Sequence, residues 1–223
     1  RRVNMDLIFL LAMLILPLLA QWGVTSTFRK YSTVNNSRGL TAEQVARRIL
    51  DSNGLYHIGI ERVSGNLTDH FSPVENVVRL SDSVYGKASV AAIGVAAHEC
   101  GHACQHSESY APIVIRSKIV PVVNICSRFW YLVFILGIII SHYLIYVGIA
   151  MFSAVVIFQL VTLPTELDAS NRALKTLESD GILEMNEIPQ ARKVLTAAAM
   201  TYVTSLVVSI MQLLRLIARV KND

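Results

Sequence analysis

The sequence predicts an α-helical integral membrane protein with about four transmembrane helices and a small α+β domain between the first two. Three observations lead there. Hydrophobic residues make up 53% of the 223-residue chain and charged residues only 16%, against about 25% charged in a soluble domain, and the mean hydropathy is +0.48. Long stretches carry no charge at all: 22 residues from Leu7 to Phe28, 37 from Phe129 to Thr165 and 21 from Val194 to Leu214. The segment between the first two runs is different in kind, with turn residues, charges and short apolar patterns like those of a folded domain.

The first run supplies one span near residues 6–25, within a segment 1–28. Its apolar part is longer than a signal-peptide core, and no small-x-small cleavage site closes it, so it reads as a retained helix. The 37-residue run, with Ile119–Ser127 just before it, is long enough for a helical hairpin over 119–163, with spans near 119–140 and 143–163. Arg128 falls inside the first of these, and snorkelling to the headgroups is its expected escape from the bilayer interior. Leu163-Pro164 is expected to end the third span, and a new helix opening at Glu166 plus a connector, over 164–193, then leads to 194–223, whose span near 195–216 is diluted by Thr196, Thr201, Thr204, Ser205, Ser209 and Gln212. Those side chains can hydrogen-bond to neighbouring helices.

Four spans put both termini on one side and the loops 29–118 and 164–193 together on the other. Near the span ends these loops carry Arg29, Lys30, Arg38, Arg116, Lys118, Arg172, Lys175, Arg192 and Lys193, against Arg1, Arg2, Arg215, Arg219 and Lys221 opposite. That bias points the loops into the cytoplasm. An odd cysteine count, Cys100, Cys104 and Cys126, fits a reducing compartment. The net charge of +4 is mixed in sign along the chain; it suits loops that meet anionic headgroups and implies no nucleic-acid partner.

Within 29–118, Thr41-Ala42-Glu43-Gln44 is a capping box, and an amphipathic helix follows from Ala42 to Ser52, closed by Asn53-Gly54. Ile58, Ile60 and Val63 mark a strand turned by Ser64-Gly65-Asn66, and a second strand runs from Asn76 to Leu80. Another helix is expected from Gly86 or Lys87 to His106. It carries the most informative motif in the chain, His98-Glu99-Cys100-Gly101-His102. Histidines four apart share one helical face and can reach one zinc ion. Glu99 sits beside them without ligating, where it can take a proton from water. Val90–Ala97 is small and apolar throughout, so the helix is buried, and polar groups buried there need a purpose. Cys100 lies about 200° round the helix from His98 and reads as a small buried residue.

A hydrolytic zinc site takes three protein ligands and keeps one position open. The third is sought among His106, Glu108, His70, His57 and Glu166. His106 lies about 12 Å from His98 along a straight helix, and the position ten residues after His98, a histidine in metzincins, is Glu108. Glu166 is the best placed, because two spans separate it from the motif and return it to the same side. For the oxyanion, His70, His106 and Arg172 are the candidates, with a non-catalytic scaffold holding a structural zinc as the alternative function.

Taken together, Val90–His106, Leu67-Thr68-Asp69-His70-Phe71, Arg79-Leu80-Ser81 and Leu163–Arg172 closely resemble the bacterial YugP-type family of neutral zinc metallopeptidases. The match covers nearly the whole chain, and it is more distantly similar to the HtpX and CAAX-prenyl-protease group. The resemblance implies a zincin-like catalytic domain in the bacterial cell (inner) membrane, a membrane-bound zinc endopeptidase with Zn²⁺ on His98, His102 and Glu166 and with Glu99 as general base. Its implied partners are a peptide or protein substrate and the lipid bilayer, with a homo-oligomer left open. The related group places an aspartate four residues after the third ligand to orient a zinc histidine. Here that position is Ser170, with Asp168 and Asn171 nearby, which leaves the support of His98 open.

Overall fold

The computed structural model describes residues 2–221, with side chains for residue 7 and residues 9–221. It is mostly helical: α1 (Arg2–Tyr31), α2 (Ala42–Ser52), α3 (Val90–Ser107), α4 (Ala111–Ile139), α5 (His142–Ser179) and α6 (Ile188–Val220), with strands β1 (Gly59–Val63), β2 (His70–Ser72) and β3 (Val77–Ser81) between α2 and α3. Four helices, α1, α4, α5 and α6, are long and apolar enough to cross a membrane. The chain falls into two compact units, one of residues 1–21, 111–164 and 200–223, the other of 22–110 and 165–199.

In the first unit α4 and α5 form a tight hairpin turned at Ile140-Ser141, where the Leu144 N–H donates to the Ser141 carbonyl at 2.9 Å. Two glycines let the helices touch. A Cβ on Gly148 would lie 2.9 Å from the Phe134 Cβ, and one on Gly137 would collide with the Ile145 backbone. Phe134, Ile145, Phe152 and Val156 pack there with Leu206 and Leu216 of α6. Outward-facing leucines such as Leu14 and Leu18, each 63% exposed, suit hydrocarbon rather than water as their surroundings. Arg128 lies on an exposed face of α4.

The second unit is built on α3. Val45, Ala46, Ile49 and Leu50 form the buried face of α2 and share a core with α3, the sheet and the facing residues of α5 and α6. Local signals account for α2: the Gln44 side chain accepts from the Thr41 N–H at 3.0 Å, and Gly54, at φ +72°, turns the chain out of the helix.

The sheet departs from the expected pair of strands. Its order is β1-β3-β2, with β1 parallel to β3 and β2 antiparallel to it. Thus Ser64-Gly65-Asn66 opens a loop that passes the end of β3 and returns as a third strand. Side chains stitch that loop in place: Asp69 accepts from the Ser81 N–H and hydroxyl at 2.7 and 2.9 Å, and Asp82 accepts from the Gly65 N–H at 2.9 Å. Only three residues long and followed by Pro73, β2 has too little alternation to declare itself.

Two helix boundaries also differ from expectation. Ser89 is the N-cap of α3, its hydroxyl accepting from the Ala92 N–H at 3.2 Å, so the helix starts three or four residues later than Gly86 or Lys87. Pro164 does not end a helix. It lies inside α5, which continues to Ser179, and Glu166 is therefore an interior residue rather than the start of a new helix. Proline removes one N–H donor, but the following turns bury Thr165, Glu166, Ala169 and Ser170, and that packing outweighs the lost bond.

Close backbone approach sets α3 against α5. A Cβ on Gly101 would fall 2.7 Å from the Ala169 carbonyl oxygen, whereas one on Gly94 would meet Ala191 of α6 at an ordinary 3.7 Å. Gly101→Ala is therefore expected to destabilise the protein by about 1–3 kcal/mol and weaken metal retention, while Gly94→Ala stays close to neutral. Thermal unfolding with elemental analysis of the detergent-solubilised variants checks this; equal effects would contradict it.

Candidate metal centre

On α3, residues 98 and 102 stand one turn apart on the face opposed by α5, with their imidazole centroids 4.7 Å apart and nearly perpendicular. The Glu166 carboxylate of α5 reaches both: Oε2 lies 3.3 Å from His98 Nε2 and 3.4 Å from His102 Nε2. One ligand atom from each residue can be chosen so that all lie within 4.8 Å of one another, and no other such group occurs among the described residues. The Glu166 side chain is 3% exposed.

Hydrogen bonds on the far side of each ring turn Nε2 inward. His102 Nδ1 lies 3.0 Å from Gln105 Oε1. Gln105 Nε2 donates to the Thr165 carbonyl and to Asp168 Oδ2, both at 2.8 Å. Two acceptors on the nitrogen fix the amide's orientation, so its oxygen must face His102. An acceptor there requires the proton on Nδ1 and leaves the Nε2 lone pair for a metal. His98 Nδ1 has Ser170 Oγ at 3.1 Å, so the position four residues after Glu166 holds a hydroxyl that can serve this ring. The chain of contacts continues outward: Arg172 Nε donates to Asp168 Oδ2 at 2.6 Å and its Nη1 to Glu108 Oε2 at 2.7 Å, tying the end of α3 to α5.

Glu99 is buried on α3 between the two histidines in sequence, only 8% exposed. Burial raises its carboxyl pKa; the His98 and His102 imidazoles oppose the rise, and the Asp69 and Glu166 carboxylates add to it. Such a carboxyl is a ready proton carrier.

The remaining candidates lie elsewhere. His70 opens β2, exposed, with Nδ1 2.9 Å from the Thr68 carbonyl oxygen. His106 is exposed near the end of α3, its ring edge-on to Phe71 at 5.9 Å. Asn171 is exposed. Arg172 is committed to Asp168 and Glu108 and stacks over Tyr110 at 5.7 Å. Asp168 acts on the histidines only indirectly, through Gln105. Gln105 itself is the residue that motif reading overlooks. It is fully buried and lies three residues after His102, on the same helical face.

Fold and site together define a protein with four helices apolar enough to cross a membrane and a two-histidine, one-carboxylate group that could hold a metal ion. Comparison with known proteins sharpens this class. Residues 6–221 match the family described as "putative neutral zinc metallopeptidase", and the chain belongs to that family. It is 51% identical over 199 residues, 89% of this chain and 88% of the other, to "Putative membrane protease YugP" of Bacillus subtilis (strain 168). No solved structure matches. The family implies zinc, and the donor set fits: two neutral imidazole nitrogens and a carboxylate are a zinc set of hydrolytic sites.

If Ser170 and Gln105 orient the two rings, Ser170→Ala and Gln105→Ala should each weaken zinc binding about 10–100-fold. Competition with a chromophoric chelator measures this, and Ser170→Asp should restore the loss. Unchanged affinity in both alanine variants would dismiss the orienting role.

Proposed function

We propose that the protein is a membrane-bound zinc endopeptidase in which His98, His102 and Glu166 hold the metal and Glu99 moves the proton. The observation that carries this reading is the convergence of His98 Nε2, His102 Nε2 and the Glu166 carboxylate beside a buried glutamate on the same helix. Zinc bound there would supply Lewis acidity to water and to a peptide carbonyl. Glu99 takes the proton from the attacking water as the carbon–oxygen bond forms, and then delivers it to the amine as the carbon–nitrogen bond breaks. The proton carried in the first step is the one released in the second. Gln105 holds His102 in the Nδ1–H tautomer throughout, and Ser170 holds the His98 ring.

A zincin-like arrangement for residues 29–118 is supported by a helix bearing the histidines beside a sheet with an open edge. Of the two edge strands, β2 is favoured as the place where a peptide adds as a further strand. Its Phe71 packs against His106 of α3, and only one of its edges is paired, with β3. Cleavage then falls on peptide or protein segments outside the bilayer core. Charge bias at the span ends supports a cytoplasmic location for these segments.

Glu99→Gln is expected to lower peptide hydrolysis by at least about 10²–10⁴-fold with one zinc per chain retained, whereas Glu166→Ala should lose zinc and activity together. Elemental analysis beside a cleavage assay reads both. Zinc binding by the unmodified protein without cleavage of any peptide in a broad library would favour a structural zinc site instead, and full zinc retention in Glu166→Ala would remove that residue from the ligand set.

A further inference from the structure

Outside the metal centre, the second unit has a cleft of about 600 Å³ between the C-terminal part of α1 and the first turns of α6. Ser26, Thr27 and Lys30 line it from α1, and Arg192, Lys193 and Thr196 from α6. Three cations therefore face one space with the hydroxyl-bearing Ser26, Thr27, Tyr31 and Thr196, and with no carboxylate in the lining. None of the three cations pairs with a carboxylate among the described residues, although Lys30 Nζ lies 5.5 Å from the centroid of the Tyr31 ring. Where other basic residues of this unit, such as Arg47, Arg62, Arg79 and Arg172, are matched to acids, these three are left unmatched together.

Their places along each helix are the second observation. On α1 the basic pair Arg29-Lys30 follows directly on the charge-free run ending at Phe28. Trp22, 71% exposed, precedes Lys30 by eight residues, about 12 Å of helix. On α6, Arg192-Lys193 immediately precedes the charge-free run that begins at Val194. Each helix thus carries its cleft residues where an apolar span gives way to water, the level of lipid phosphates, and an exposed tryptophan lies on the apolar side of that boundary.

We propose that this cleft binds the headgroup phosphate of an anionic phospholipid, with Lys30, Arg192 and Lys193 supplying charge and Thr27 and Thr196 supplying hydroxyl donors. The cleft floor belongs to the core that carries α3: Tyr31 beside it packs with Ala91 and Val194, and Val95 lies against them, three residues before His98. A bound headgroup thereby braces the two helices against which the start of the histidine helix rests.

The full chain in lipid nanodiscs tests this. The protein has two tryptophans, so Trp130→Phe leaves Trp22 as the reporter beside the cleft. Phosphatidylglycerol with brominated acyl chains is expected to quench Trp22 at mole fractions on the order of tenfold lower than brominated phosphatidylcholine. Lys30→Gln/Arg192→Gln/Lys193→Gln should abolish that preference, and Lys30→Gln alone should reduce it. The control Arg48→Gln/Lys87→Gln/Lys175→Gln, which removes the same charge elsewhere, should keep it, with the zinc content of every variant confirming its fold. Equal quenching by both lipids, or equal loss in the control, overturns the proposal. Reversal of the preference by millimolar inorganic phosphate assigns the cleft to a free anion and overturns the lipid as its occupant.

Discussion

A carboxylate buried between two imidazoles is the constraint around which the second unit is organised. Removing such a group from water costs several kcal/mol unless each polar atom finds a partner. One stretch of α5 meets that demand. From Thr165 to Arg172 it offers a carbonyl to Gln105, a carboxylate to both histidines, a second carboxylate to Gln105 and Arg172, and a hydroxyl to His98. The spacing of these groups is that of a continuous helix, which α5 supplies from Thr165 to Arg172. A helix restarted at Glu166 would have its first N–H groups to satisfy as well.

Packing and polarity are coupled at the same place. Gly101, between Glu99 and His102, lets the α3 backbone come against the Ala169 carbonyl, and that approach brings Ser170 within reach of His98. Any side chain at 101 would widen the gap by a fraction of an ångström, enough to spoil hydrogen bonds that weaken steeply with distance and angle. The small residues Ala91, Ala92, Ala96 and Ala97, all fully buried, serve the same purpose along the rest of α3.

Much of this was legible from the chain, for identifiable reasons. The four apolar helices are long and charge-poor, α2 carries its own caps, and the spacing of His98 and His102 already places them on one helical face. The sheet was less accessible: β1 and β3 pair in parallel across a loop held by Asp69 and Asp82, and side-chain ties of that kind leave no periodic trace. Pro164 misled because its local preference was to end a helix, a preference that tertiary burial overrides. Ser170 and Gln105 are ordinary residues until two helices meet; neither residue type announces a role beside a histidine. That Glu166 returns to the side of His98 and His102 was legible from counting the two predicted spans between them, a constraint that works without any knowledge of packing.

The order of His98, His102 and Glu166 along the chain has a consequence for biosynthesis. A translating ribosome finishes α3, with both histidines, before it makes the α4–α5 hairpin, and only after the hairpin does it reach Glu166. At about 5–20 residues per second, the histidines wait several seconds for their carboxylate. A site that needs all three is therefore absent from every truncated or half-inserted chain. Under the proposed zinc-binding role, completion of the α4–α5 hairpin sets the earliest moment at which the three side chains can meet.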